Sequence, residues 1–210
     1  MIDYVFNPRI YAENSGTLVY FHAPKCASRT ILAWLTLSEY PKLLQEQPAL
    51  FDPFCLGDYP QFSRIIPEIP LCEVKERKAF CIVRDPVERF ISAYSDRVLR
   101  YKREEFTAFP EISSLINNLD KLESFPVLAH HLRPMRSFYG DDLDRYHRVF
   151  SFNDLGSVKR YLEQSLSATL PELKLQSCER LEKPVLSSNE TSFLRDFYAE
   201  DYRIYANFLT

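Results

Sequence analysis

The sequence predicts an α/β fold, a central and mostly parallel sheet flanked by helices. Three observations carry this expectation. The apolar run at 17–22, "TLVYFH", leads within a few residues into the helical "ILAWLTLSE". The continuous apolar run "AFCIVR" at 79–84 leads into "DPVERFISAY", and "HRVFSF" at 147–152 leads into a helical pattern from Asp154 to about Leu166. Strands that each hand over to a helix pair in parallel, and ligands of such sheets bind at the carboxyl ends of the strands. A sheet of about five strands is expected.

Taken in order, 17–22 is the first strand and 29–39 the first helix, with Ile31, Trp34, Leu35 and Ser38 on one face. Residues 41–72 hold Pro41, Pro48, Pro53, Pro60, Pro67 and Pro70, which excludes one long helix because each proline removes a donor and clashes with the preceding turn. Such a segment is either a binding loop or lid, or a plain connector with short helices. The second strand, 79–84, is apolar throughout, as buried parallel strands are. In the helix that follows it, Asp85 is placed to cap, Pro86 suits the first turn and Glu88 completes a capping box. Val87, Phe90, Ile91, Tyr94 and Val98 form its stripe. A helical stretch over 112–129 ends in a loop carrying His130 and His131. The third strand and its helix follow, and in the tail, 191–209, Phe193, Phe197, Ile204 and Phe208 share a helical face. There is no internal repeat, and 1–210 reads as a single domain.

Composition narrows the function. A net charge of -3 excludes a general affinity for nucleic acid or an anionic membrane, so any anion site is built locally. No run approaches the ~20 apolar residues of a membrane span. The N-terminus "MIDYVFNPRI" does not resemble a signal peptide, so a cytoplasmic protein is expected unless the chain is cut from a longer one. Cys26, Cys55, Cys72, Cys81 and Cys178 are odd in number and lack metal-type spacing, which reads as free thiols and no metal site.

Two stretches carry anion chemistry. In "HAPKCASRT", His22 to Thr30, a lysine sits in a strand-to-helix turn among small and hydroxylated residues. Turn amides and a helix N-terminus favour phosphate, Lys25 adds a full charge, and Ser28 and Thr30 add donors. The Walker pattern GxxxxGK[ST] is absent: no glycine precedes Lys25, and Cys26 stands where the magnesium-binding hydroxyl belongs. A metal-free site fits better. Taken alone, the turn serves as well for a structural connection. The second stretch is Arg84 at the end of its strand, with Ser92 eight residues on, about two turns into the helix and facing back. An arginine fork with a hydroxyl suits a terminal phosphate. Alone, Arg84 is equally a salt-bridge partner and Ser92 a packing serine. Together the two sites call for one ligand with two separated anionic ends.

"FHAPKCASRT" resembles the 5′-phosphosulfate loop of sulfotransferases that use 3′-phosphoadenosine 5′-phosphosulfate (PAPS), particularly the carbohydrate type. "CIVRDPVERFISAY" is similar to their 3′-phosphate motif, "HHLRPM" to a His-x-x-Pro-Gln segment with Met135 in place of the glutamine, and "FYAEDYRIY" to their C-terminal helix. The resemblance implies a P-loop-kinase-like sulfotransferase fold and PAPS as donor, with no metal required. It places Pro24, Lys25, Cys26, Ala27, Ser28, Arg29 and Thr30 on the 5′-phosphosulfate and Arg84 and Ser92 on the 3′-phosphate. Arg29 is bulkier than such loops ordinarily carry. The resemblance also gives Lys25 the charge that grows on the leaving phosphate, and positive charge is useful where negative charge develops in a transition state.

The acceptor hydroxyl needs a base. His131 aligns with the histidine of the His-x-x-Pro segment; His22, His130, Glu73 and Glu76 are the other candidates, and His147 reads as structural. A histidine of ordinary pKa would make the rate rise with pH near 6.5. Of the basic run Arg97, Arg100, Lys102 and Arg103, and of Arg133 and Arg136, some stand to meet an anionic acceptor; Tyr139 or Tyr146 stand to stack on a ring. The expected function is sulfonyl transfer to a hydroxyl, of a carbohydrate by resemblance, with a lipid or a small phenol as other acceptors. The alternatives are a nucleoside or sugar kinase with a degenerate phosphate loop and a non-catalytic nucleotide-binding protein.

Overall fold

The computed structural model describes residues 8–51, 66–74, 76–100, 109–173 and 183–209. Its sheet has four strands in the order β1 (Arg9–Ala12), β2 (Leu18–His22), β3 (Lys78–Val83) and β4 (Arg148–Ser151). β2, β3 and β4 run parallel, with Phe21 beside Cys81 and Val83 beside Ser151. The three expected strands are therefore present within a residue or so at each end. The described residues hold four strands rather than about five, and one of the four, β1, was not expected. It is a short N-terminal edge strand, antiparallel to β2 with Arg9 opposite His22. Gly16, at φ 73°, supplies the left-handed residue of the turn between them. The buried Glu13 carboxylate steadies that turn by accepting from the Leu18 amide at 2.7 Å.

α1 (Ser28–Glu39) is buried from Ser28 through Leu37, not only along the anticipated face. It shares the sheet's core cluster and packs against α7 (Leu155–Leu166), which also meets β4. At its centre Trp34 donates its indole N–H to the Pro171 carbonyl at 3.0 Å, while Ser38 is half-buried. The proline-rich stretch contributes the short α2 (Leu43–Glu46) and a turn at Pro48–Phe51. Farther on it runs along the outer edge of β1, where the Ile69 amide donates to Ile10 (2.7 Å) and Ala12 to Pro67 (3.3 Å). That run covers an edge strand that would otherwise present unpaired groups. Of the 41–72 segment expected to be a loop or lid, residues 52–65 lie outside the described residues.

α3 (Pro86–Tyr94) opens on the expected cap, the Asp85 carboxylate accepting from the Glu88 amide at 2.9 Å with Pro86 in the first turn, but the Glu88 carboxylate lies 3.9 Å from Arg84 rather than completing a capping box. It continues into a π-helical turn, Ser95–Arg100, which no sequence pattern announced. α4 (Ile112–Ile116), α5 (Pro126–Leu132) and α6 (Arg136–Tyr139) follow. The expected helix 112–129 is thus broken by a 3₁₀ segment at Leu119–Ser124, and His130 and His131 lie within α5 rather than in a loop. One core cluster gathers the sheet with α1; a second gathers Phe90 and Tyr94 with Leu115, Leu128 and Leu194. No helix among the described residues is long and apolar enough to cross a membrane. Cys26, Cys72 and Cys81 are free thiols; Cys55 and Cys178 lie outside the described residues.

The tail corrects the expected face. It forms α8 (Ser188–Phe197), opened by a Ser187/Glu190 capping box, and α9 (Ala199–Ile204). Its buried positions are Leu194, Tyr198, Asp201 and Tyr205, while Phe193 is half exposed. The buried face is chosen by hydrogen bonding as well as by apolar area. Tyr198 donates to the Leu132 carbonyl at 2.6 Å, Tyr205 to Gly140 at 2.7 Å, and Asp201 accepts from the amides of Met135 (2.6 Å) and Arg136 (3.0 Å).

Denaturant titration checks this face. Leu194→Ala should cost about 2–5 kcal/mol, as buried leucine truncations do. Phe193→Ala should stay within about 0.5 kcal/mol. The reverse ranking would restore the phenylalanine face.

Candidate functional site

A cavity of about 410 Å³ opens at the carboxyl edge of β2 and β3. Pro24, Lys25, Ala27, Ser28, Arg29 and Thr30 line it from the turn, Arg84 and Ser92 from β3 and α3, and His22, His130 and His131 from β2 and α5. Cys26 is the exception among the anticipated residues. Its side chain is fully buried in the core, where burial pushes the thiol pKa up, and only its backbone belongs to the turn.

The turn achieves without glycine what glycine ordinarily allows. Lys25 (φ 68°) and Ala27 (φ 57°) are both left-handed, and Ala27 is the N-cap of α1 with no side-chain cap. Each such residue costs roughly 1–2 kcal/mol, so the surroundings must hold the conformation. Three side chains do so through three successive carbonyls: Arg89 donates to Pro24 (3.5 Å), Arg84 to Lys25 (3.0 Å) and the Tyr20 hydroxyl to Cys26 (3.5 Å). Left-handed residues set between right-handed ones turn successive amides into a concave anion-binding nest. Arg84 also lies over the Phe152 ring at 4.3 Å and reaches Glu88 at 3.9 Å.

Arg89 is fully buried and was not singled out by sequence reasoning. Besides Pro24, its guanidinium donates to the carbonyls of His131 (3.0 Å) and Arg133. Sequence reasoning also missed Asp96, a buried carboxylate on the cavity wall 3.1 Å from the Lys25 ammonium. Its signal was an acid followed by arginines one and four residues on, Arg97 and Arg100, both paired with it. Arg9, on the unexpected strand, completes the cationic rim.

The histidines differ in their ties. His131 holds its Nδ1 2.8 Å from the Val127 carbonyl, which can only accept, so Nδ1 carries the proton and Nε2 is left as the basic nitrogen. Burial, reinforced by Arg97, pulls its pKa well below 6.5. Burial, then Arg9, lowers His130 to about 4, and burial with His130 lowers His22 to about 3. The other candidates fall away from the cavity. Glu73 and Glu76 do not line it, and His147 pairs with Tyr161 on the surface. Tyr139 and Tyr146 are core residues bonded to Ile82 and Tyr139 carbonyls, so neither presents a stacking face. Of the basic residues, Arg97 lines the cavity, Arg133 pairs with Glu123 instead, and Lys102 and Arg103 lie outside the described residues. Among the described residues no group of three or more His, Cys, Asp or Glu is placed to hold a metal ion.

A lysine turn and an arginine set side by side at the carboxyl ends of two parallel strands give this α/β protein a cationic cleft at its sheet edge. The chain belongs to the sulfotransferase family, whose model matches residues 8–206. Membership implies transferase activity, the movement of a sulfonyl group. No curated protein and no solved structure matches the chain.

The buried histidines make stability pH-dependent. Their folded pKa values are depressed, so stability present above 6.5 is lost as the pH falls from there towards 4 and below. Asp201 works in the opposite sense, since burial raises its pKa to about 6 and it takes up its proton earlier in the folded state. Three histidines outweigh one carboxyl, and the melting temperature should drop between pH 6.5 and 5. His130→Gln should flatten that drop, by up to about 1.4 kcal/mol per pH unit. An unchanged slope would show that His130 does not titrate there.

Proposed function

We propose that the protein transfers a sulfonyl group from PAPS to a hydroxyl of a carbohydrate. One observation carries the reading: a single cavity joins the Lys25 turn, the Arg84–Ser92 pair and a histidine whose Nε2 is free of the proton. Two cationic points on neighbouring strand ends suit a ligand with two anionic ends. The buried Cys26 side chain offers no hydroxyl to a magnesium ion beside Lys25, which disfavours a triphosphate and the kinase alternative.

PAPS supplies the sulfonyl group, bonded through oxygen to its 5′-phosphate. The turn from Pro24 to Thr30 holds that end, and Arg84 with Ser92 holds the 3′-phosphate. His131 Nε2 takes the proton from the acceptor hydroxyl as its oxygen bonds to sulfur. Lys25 neutralises the charge that the breaking S–O bond leaves on the phosphate oxygen, where a preorganised cation is worth most. Ser28 and Thr30 add hydroxyl donors at the N-terminus of α1. The carbohydrate acceptor is supported by the His-x-x-Pro resemblance at His131 and Pro134.

Thermal shift and transfer assays test this. 3′-Phosphoadenosine 5′-phosphate should stabilise the fold without magnesium, by about 2.7 kcal/mol at a hundredfold excess over Kd. Stabilisation by ATP with magnesium, and none by the bisphosphate, would sink the reading. In transfer of ³⁵S-labelled sulfate from PAPS to a panel of glycans, lipids and phenols, glycans should become labelled. Arg84→Ala should raise the Kd of the donor, whereas Lys25→Ala should also cut turnover about 10²–10³-fold.

His131→Ala should cut transfer about 10²–10⁴-fold while the bisphosphate still binds. The depressed pKa changes the expected pH profile: the neutral ring predominates throughout, so the rate should stay level from pH 6 to 8. An inflection near 6.5 that disappears in His131→Ala would mean the ring titrates as if exposed.

A further inference from the structure

Asp96 poses a problem that sulfonyl transfer does not explain. It is a fully buried carboxylate on the wall of a cavity otherwise furnished with cations. Burying it is costly, and once there it repels any anion that enters. A helix-packing residue at this position could be apolar. Instead the carboxylate is met by three cations: Lys25 at 3.1 Å, Arg97 at 3.3 Å and Arg100 at 3.7 Å. They are brought together by the π-helical turn Ser95–Arg100, a distortion that recurs at functional sites.

The arrangement is unequal. Lys25 comes from the anion-binding turn, and Arg97 and Arg100 come from the same helical segment as Asp96. If Lys25 swings to an anion in the turn, Asp96 keeps two guanidinium neighbours and is not left as a bare buried charge.

We propose that Asp96 is the positioning residue of Lys25, competing with the 5′ anion for the same ammonium. It draws Lys25 towards the wall, weakens the grip on the 5′ anion and takes the ammonium back as the bisphosphate product departs. The inference rests on the donor reading above. In this role Asp96 acts through Lys25 and not on the sulfonyl group or the acceptor.

The test is a double-mutant cycle read by binding calorimetry and stopped-flow release. Asp96→Asn removes the charge at nearly constant shape. It should bind 3′-phosphoadenosine 5′-phosphate about 10-fold more tightly, the scale of coupling between close charge pairs, with the gain in slower release. In a Lys25→Met background the same substitution should bring no gain. Asp96→Asn/Arg100→Gln keeps the charge balance of the group and does not alter a cavity-lining arginine, so it should show the same tightening if the single variant folds poorly.

Equal or weaker binding in both Asp96 variants would overturn the proposal, because a merely structural carboxylate predicts that. So would tightening that persists without the Lys25 amine, since it would report only the general rise in positive charge. If the bisphosphate fails to bind even the unaltered protein, the donor reading falls instead. Inorganic pyrophosphate, as a second probe of the turn, then tests the competition for Lys25 by the same cycle.

Discussion

The site depends on one buried guanidinium. Arg89 has no exposed surface, and it binds the carbonyl of Pro24 in the strand-to-helix turn and those of His131 and Arg133 in the helical half of the molecule. Those carbonyls belong to segments far apart in sequence, each attached to a different hydrophobic cluster. A planar fork with fixed directions ties the two clusters in one defined register. The position of His131 relative to Lys25 is therefore set through Arg89. Lysine could not reproduce it, being a single point charge.

The tail completes the same constraint from the other side. Tyr198 and Asp201 take up the Leu132 carbonyl and the Met135 and Arg136 amides, so the segment that follows His131 is bonded to the tail as well as to Arg89. Polar bonds to backbone are specific in a way that apolar contact is not, and buried backbone groups are costly to leave unmet. The left-handed Lys25 and Ala27 need this support most, because neither residue favours that conformation.

Much of the architecture was legible because it obeys local rules. The strands at 17–22, 79–84 and 147–152 and the Asp85 cap follow from apolar runs and capping chemistry, and the meeting of Lys25, Arg84 and Ser92 on one cavity follows from their places just beyond neighbouring strand ends. What escaped depends on partners distant in sequence. β1 is four residues long and exists because β2 and the 67–69 run flank it. Asp96 reads as one acid among basic residues until the π-turn and Lys25 meet it. The tail's true face escaped because tyrosines and an aspartate, not its phenylalanines, have carbonyls and amides to reach. Cys26 illustrates the converse: its place in the motif was legible, but the direction of its side chain was not.

The indole of Trp34 has an optical consequence. It is the one tryptophan of the chain, held in the core of α1 with its N–H bonded to Pro171. The helix that carries it begins at the Lys25 turn, and Leu173, two residues beyond its partner, lines the cavity. The protein thus contains a single indole fluorophore with a defined hydrogen bond, on the helix that opens at the Lys25 turn. Its emission is an unlabelled gauge of that helix, free of the averaging that several tryptophans impose.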